Sequence, residues 1–310
     1  MALAYAQAAA PKTKRGAITA LLEDERWLGA LLLLPTAVLL ALFIAYPFVK
    51  GVLLSVTDAR VGVPGSFVGL QNFIALAHDS IFREAVWNTF LYTAVTTVFK
   101  LALGLWLALL LNRHFPGKAL TRAFVLLPFI IPTVLSTFAW KWMFDPTFSV
   151  INWTLYKLAI IDSRINWLGD PQLAMISIII VNVWRGVPFY AISLLAGLQT
   201  ISPELQEAAA IDGARPWQRF WHVTWPLLLP VTMVVVLFSV IQTFADFQLV
   251  YVLTGGGPAN ATHLFATYAY QIGVGTGLLS VGAAISLAMF PALLVVVIVQ
   301  LLYIRRVEIH

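Results

Sequence analysis

Long apolar runs separated by short polar segments rich in Gly and Pro set the rhythm of this chain. A bilayer crossing needs about 20 mostly apolar residues, and six stretches meet that length: 27–51, 86–112, 122–144, 172–197, 223–246 and 281–304. The first carries no charge between Arg26 and Lys50, and the fifth none between Arg219 and Asp246. A charge-free stretch from Phe247 to Arg305 holds the sixth. Lys100 and Arg185 interrupt the second and fourth near their middles. Lys100 divides EAVWNTFLYTAVTTVF from LALGLWLALLLN, and neither half is long enough to cross alone. One helix with an internal cation is the economical reading, because backbone groups in lipid must be satisfied within the segment. The first run has no small-residue cleavage site after a short apolar core, so it is expected to be a retained span and not a leader.

Lysines and arginines near span ends orient the bundle. One side collects eleven: Lys12, Lys14, Arg15 and Arg26, then Arg113, Lys118 and Arg122, then Arg215 and Arg219, then Arg305 and Arg306. The other side has six (Lys50, Arg60, Arg83, Lys141, Lys157, Arg164), spread over longer loops. The expected fold is therefore all-α and polytopic, with six transmembrane helices and both termini cytoplasmic. A tail at 1–26 precedes the membrane domain at 27–304, and a short tail at 305–310 follows it. Trp153 and Trp167 in the 145–171 loop suit an interfacial belt.

Composition narrows the class. Hydrophobic residues are 60% of 310 and charged residues 11%, where a soluble domain has about a quarter charged. Mean hydropathy is +0.87. The net charge of +5 is dispersed, unlike the clustered basic face that nucleic acid requires. There is no cysteine, which excludes disulfides and thiolate chemistry. No histidines fall at metal-ligand spacing, and His222 reads as a loop-surface residue. No nucleophile–base constellation stands out, so an enzyme is not expected.

Residues 202–230, SPELQEAAAIDGARPWQRFWHVTWPLLLP, break the apolar rhythm. Ser202 is a helix cap and Pro203 a favoured first residue. Glu204 suits the first turn, and Glu207 to Ala210 favour helix. Gly213 suits a left-handed stop. Trp217, Phe220 and Trp221 give a second short helix an aromatic face, and Pro226 and Pro230 are expected to break or bend the approach to span five. Ala208 and Ala209 offer little bulk to bury against their own chain. The segment reads either as half of an interface or as an amphipathic connector under the bundle.

This segment resembles the EAA loop of ABC importer permeases. Glu207, Ala208 and Ala209 match the opening triplet, and Asp212, Gly213 and Ala214 match the D-G-A of the sugar-importing branch. Phe220, Pro226 and Pro230 match later positions. Trp225 stands where Leu is usual and Leu229 where a basic residue is common. Further likeness to the binding-protein-dependent permeases for sugars and glycerol phosphate runs from about residue 28 to 306. It lies in Gly69-Leu70-Gln71-Asn72-Phe73, in Asn88-Thr89, in Leu127-Pro128 through Pro132, and in Gly256-Gly257-Pro258 with Thr262. The last favours the maltose-type first permease. The resemblance implies a second homologous permease, two ATP-binding subunits, an extracytoplasmic solute-binding protein and a bacterial or archaeal cytoplasmic membrane. It implies that Glu207, Ala208, Ala209, Asp212, Gly213, Ala214, Arg215 and Phe220 couple to the ATPase. The chain has no GxxxxGK[ST] phosphate loop, so its transport energy is expected from a separate subunit or from an ion gradient. The resemblance implies ATP and Mg on the partner ATPase subunits and no cofactor bound by this chain. A permease for a non-carbohydrate solute, an ion-driven carrier and a membrane scaffold are the alternatives.

Polar and aromatic residues within spans are the candidates for a solute path. They are Asn182, Trp184, Arg185 and Tyr190 in span four, then Gln242, Phe244, Asp246, Gln248 and Tyr251 toward the external end of span five. Arg185 also suits a structural helix-pairing or snorkelling cation, and Lys100 a structural one. Asp246 also suits a helix end outside lipid. Asn88 suits packing or capping. Phe129 and Phe138 read as core aromatics, and Trp140 and Trp142 as interfacial anchors.

Overall fold

The computed structural model describes the backbone of residues 25–308 and the side chains of 27–303. Residues 1–24 of the expected N-terminal tail, with Lys12, Lys14 and Arg15, and residues 309–310 of the C-terminal tail lie outside the described residues. Among the described residues there are helices, turns and two isolated bridges, and no strands. Five helices are long and apolar enough to span a membrane, or six if one bent pair counts as a span. The chain divides into two compact units at Leu53/Leu54. The first contains most of α1 (Trp27–Ser55), apolar on every side and exposed along nearly its whole length.

In the second unit, α2 (Gln71–His78) and α3 (Ser80–Asn112) follow a turn at 56–70. Asn72 Nδ2 ties α2 to that turn, donating to the carbonyls of Ser55 at 2.8 Å and Thr57 at 2.7 Å. Asp79 caps α3 by accepting from the Ile81 N–H at 2.9 Å, and its carboxylate also accepts from the Tyr268 hydroxyl. Burial first, and then that carboxylate, raise the Tyr268 phenol above its ordinary value.

The expected straight span at 122–144 is instead two helices, α4 (Lys118–Ile130) and α5 (Thr133–Met143), meeting at 88°. The cause is local. Pro132 has no N–H to continue the helix, and Ile131 before it is extended at φ −63, ψ 130. After α6 (Val150–Lys157) comes α7 (Pro171–Thr200), with proline at its first position and Asp170 accepting from the N–H groups of Gln172 and Leu173.

α8 (Pro203–Ile211) begins at Ser202, whose hydroxyl accepts from the Glu204 N–H at 3.3 Å. It ends in two reciprocal bonds, Gly213 N–H to Ala210 at 3.1 Å and Ala214 N–H to Ala209 at 2.9 Å. That pattern needs a left-handed residue, and Gly213 supplies it at φ +80. The aromatic segment after it is not a separate helix. α9 (Pro216–Phe244) runs unbroken into the membrane. Pro226 and Pro230 do not break it: Pro226 sits in the first turn after a wide π turn at Phe220–Thr224, closed by Trp225 N–H to the Phe220 carbonyl, and Pro230 lies within the α-helical stretch that follows. α10 (Gln248–Leu253), α11 (Phe265–Tyr270) and α12 (Leu279–Glu308) complete the chain.

Three buried clusters hold the second unit together. One joins Ala108 and Leu111 of α3, Tyr190 to Leu198 of α7, and Leu228 and Val235 of α9. At the other end, the Asn88 amide donates to the carbonyls of Ala261 at 2.9 Å and His263 at 3.3 Å, and Thr89 accepts from Phe265 N–H at 3.1 Å. Thr262 folds the Gly-Gly-Pro loop over by donating to the Thr254 hydroxyl at 2.8 Å and the Gly257 carbonyl at 2.6 Å. The short motifs Asn88-Thr89 and Gly256-Gly257-Pro258…Thr262 thus form one staple that fixes α3 to the α10–α11 connection.

Candidate functional site

α3, α7 and α9 converge on polar residues in the middle of an apolar bundle. On α7 these are Asn182, Arg185 and Gly186, with Phe189 one turn on; on α9 they are Ser239, Gln242 and Thr243, with Asp246 just past its end. Both sets follow the spacing i, i+3, i+4, i+7, so each forms a single helix face. Together with Lys100, Phe129, Thr133, Phe238, Phe247 and Gln248 they line a cavity of about 600 Å³.

A hydrogen-bonded chain crosses its wall. Lys100 Nζ donates to Asn182 Oδ1 at 2.9 Å and to Thr243 Oγ1 at 2.7 Å. Asn182 Nδ2 donates to Asp246 Oδ2 at 3.1 Å, and the Tyr92 hydroxyl donates to the same oxygen at 2.8 Å. Oδ1 of Asp246 accepts from the Leu249 N–H at 3.4 Å. An ion inside a membrane protein is costly without such partners; here α3, α7 and the end of α9 are joined through theirs. The close approach depends on Gly186, because a Cβ there would lie 2.3 Å from Lys100 Cδ. On the other wall Phe129 stacks on Phe189 at 5.8 Å, and Phe189 meets Phe238 at 5.4 Å. Phe129, expected as a core aromatic, is half-exposed to this space.

The sequence candidates separate. Asn182, Arg185, Gln242, Asp246 and Gln248 share the cavity. Trp184 lines a different, apolar cavity of about 700 Å³ between α3, α4 and α7, edge-on to Trp140 at 5.4 Å. Tyr190 is wholly buried in the α3–α7–α9 core. Phe244 is buried with its ring 5.4 Å from Phe90 and 5.8 Å from Phe265. Tyr251 stacks on Phe247 at 5.0 Å and meets Tyr270 at 5.1 Å, beside the cavity and not among its lining. Lys100, Ser239, Thr243, Phe189 and Phe238 also line it and are not among the sequence candidates. Extending Asn182 and Arg185, and Gln242 and Asp246, by the i, i+3, i+4, i+7 spacing is the signal that finds Phe189, Ser239 and Thr243.

Away from the cavity, Glu207, Ala208, Asp212, Gly213 and Arg215 are exposed, and Ala209, Ala214 and Phe220 are half-buried. Ile211 is 87% exposed and Trp217 70%. Gln206 Nε2 donates to Thr224 Oγ1 at 2.9 Å, fastening α8 to the π turn of α9. Among the described residues no group of three His, Cys, Asp or Glu could hold a metal ion.

A helical bundle of apolar spans around a polar cavity, with an exposed helical elbow on one spanning helix, defines a multi-pass membrane transport subunit. The model of the family described as "Binding-protein-dependent transport system inner membrane component" matches residues 100–309, and the chain belongs to that family. It is 36% identical over 278 residues to the trehalose/maltose transport system permease protein MalF of Thermococcus litoralis, covering 89% of this chain and 93% of that one. It is 37% identical over 283 residues to the sulfoquinovosyl glycerol transport system permease protein SmoG of Agrobacterium fabrum, covering 91% of each. The crystal structure of a bacterial ABC transporter involved in import of the acidic polysaccharide alginate superposes with a TM-score of 0.80 over 91% of this chain and 96% of that chain, at 23% identity. The fold is that of an ABC importer permease, and the chain is an inner-membrane transport component.

Proposed function

We propose that this chain is the maltose-type permease of an importer for a sugar, oligosaccharide or polyol phosphate. It works with a second homologous permease, two ATP-binding subunits that hold ATP and Mg, and an extracytoplasmic binding protein that delivers the solute. Both termini and the α8–α9 elbow face the cytoplasm, as the lysine and arginine bias supports. The trehalose/maltose and sulfoquinovosyl glycerol systems of its relatives support the carbohydrate class.

The observation that carries this reading is the continuity of α9. A single helix, Pro216–Phe244, starts in the exposed elbow and ends at the cavity. At about 1.5 Å per residue it is a rod of roughly 43 Å. Force applied at Glu207–Phe220 travels along it to Ser239, Gln242, Thr243 and Asp246. Glu207 offers the ATPase subunit a carboxylate for a charge-assisted bond. Exposed Ile211 and Trp217 offer apolar area, and Ala208 with Gly213 let the partner backbone come close. ATP-driven closure of the partner then displaces the elbow and reshapes the cavity between inward- and outward-open forms. In the cavity, amides and a carboxylate suit sugar hydroxyls, and Phe129, Phe189 and Phe238 suit the apolar faces of pyranose rings.

The test is Gly213→Asp in the reconstituted complex, with uptake and ATPase activity read together. A Cβ at this exposed position meets open space, and the backbone strain of a side chain at φ +80 falls on the turn alone, so the bundle inserts and assembles; uptake is lost and ATP hydrolysis no longer responds to the binding protein. Normal uptake would refute the elbow's role. Uptake that survives loss of the ATPase subunits and collapses with an ion gradient would refute the importer reading.

A further inference from the structure

We propose that Arg185 is the specificity-determining residue of the cavity, and that the solute carries an oxyanion (carboxylate, sulfonate or phosphate) that seats on its guanidinium. This rests on the cavity being the solute path. Three ionisable side chains line it: Lys100, Arg185 and Asp246. Two of them are engaged by protein. The Lys100 ammonium has Asn182 and Thr243 as acceptors. The Asp246 carboxylate accepts from Tyr92, Asn182 and the Leu249 N–H. Arg185 differs: among the described residues no hydrogen bond or ion pair reaches it, and its Nε is buried without a partner.

Two cations against one carboxylate leave the lining one positive charge in excess. A guanidinium stays charged at any physiological pH, and its planar fork matches two oxygens of an oxyanion at once. An oxyanion therefore answers both deficits, the unmade hydrogen bonds and the uncompensated charge. A neutral hydroxyl answers only the first. Gln242, Gln248 and the three phenylalanine rings remain for the uncharged part of the same molecule. A carbohydrate with one acidic substituent fits this lining better than its neutral counterpart.

The experiment uses the whole transporter with its binding protein. Matched pairs of neutral saccharides and their uronate, 6-sulfonate and 6-phosphate forms are screened by thermal shift of the binding protein. The members that bind are then tested for uptake into proteoliposomes. The expected solute is an acidic member of a pair. Arg185→Leu should lower its uptake by about 10-fold or more, the loss of a charge-assisted bond, and Arg185→Lys should keep more of it than Arg185→Leu. Size-exclusion chromatography of each variant complex establishes that assembly is intact; if Arg185→Leu does not assemble, Arg185→Lys and Arg185→Gln carry the comparison. Preferred uptake of the neutral member, or acidic uptake within 2-fold of the parent in the variants, overturns the role of Arg185 while leaving carbohydrate import in place. If no saccharide of either kind is bound or transported, the carbohydrate reading fails and this inference fails with it.

Discussion

The cavity and the elbow sit at opposite ends of α9 and invert the usual rule of burial in opposite ways. In the cavity, charged and amide side chains are held in the interior: Lys100 is only 3% exposed. In the elbow, apolar groups face outward, and Ile211 is 87% exposed. A membrane bundle turns apolar groups to lipid along its spans and keeps its ions wet; Lys100 departs from the second rule, and Ile211, on a nine-residue helix outside the spans, from the first. On the proposed function each has a visitor, a solute for the first and a protein for the second. Their energetics differ as well. The cavity wall is tied through hydrogen bonds linking three helices, so damage there appears in stability as well as transport. The elbow is fastened locally by the Gly213 turn and the Gln206–Thr224 bond, so damage there appears in coupling alone.

The sharpest break of that contrast is Gly213→Asp, described above, which should remove uptake while lowering the thermal transition of the permease pair only by the strain of one residue at φ +80, about 1 kcal/mol. Next comes Gly186→Val. A Cβ would meet Lys100 Cδ at 2.3 Å, and overpacking of this kind costs about 1–3 kcal/mol. Both melting temperature and uptake should fall, as read by a thermal shift of the purified complex alongside transport. Asn182→Leu should follow closely. It removes one acceptor from Lys100 and one donor from Asp246, and each weakened buried group costs about 1–3 kcal/mol. Gln248→Ala, at the same cavity but outside the network, should leave melting unchanged and raise the KM for uptake. The smallest effect belongs to Ile211→Ser. An exposed substitution of this kind stays within about 0.5 kcal/mol in stability, yet it should weaken capture of the ATPase subunit in a pull-down titration. Equal stability losses at Ile211 and Asn182 would erase the distinction between the two regions.

Much of the scaffold was legible because lipid imposes a simple demand: length and apolarity locate the spans, and Ser202, Pro203 and Gly213 mark α8 from cap to stop. The bend at Pro132 and the unbroken run through Pro226 and Pro230 were not. A proline removes a donor in each case, and whether the helix then kinks or widens into a π turn depends on neighbours that no local pattern names. The cavity was half legible. Asn182 and Arg185 lie three residues apart and share a face, as do Gln242 and Asp246 at four. Trp184 is adjacent to Arg185 in sequence, yet about 100° of helical rotation separates them, and it faces an apolar cavity instead. Phe244, next to Thr243 in sequence, turns into the core by the same geometry. Lys100 was visible as an anomaly, and only the approach of α7 through Gly186 explains how its ammonium reaches Asn182.

The central claim is that motion of the elbow reaches the cavity through α9, and the absence of cysteine from this chain makes a direct measurement available. A single Gln242→Cys is placed in the cavity of the assembled transporter, and its labelling by a membrane-impermeant maleimide is followed from the external side, with and without ATP and vanadate. Labelling should accelerate when the ATPase subunits close, and that acceleration should vanish when Gly213→Asp is added. An unchanged rate on closure, or an acceleration that persists with the elbow disabled, would contradict the account.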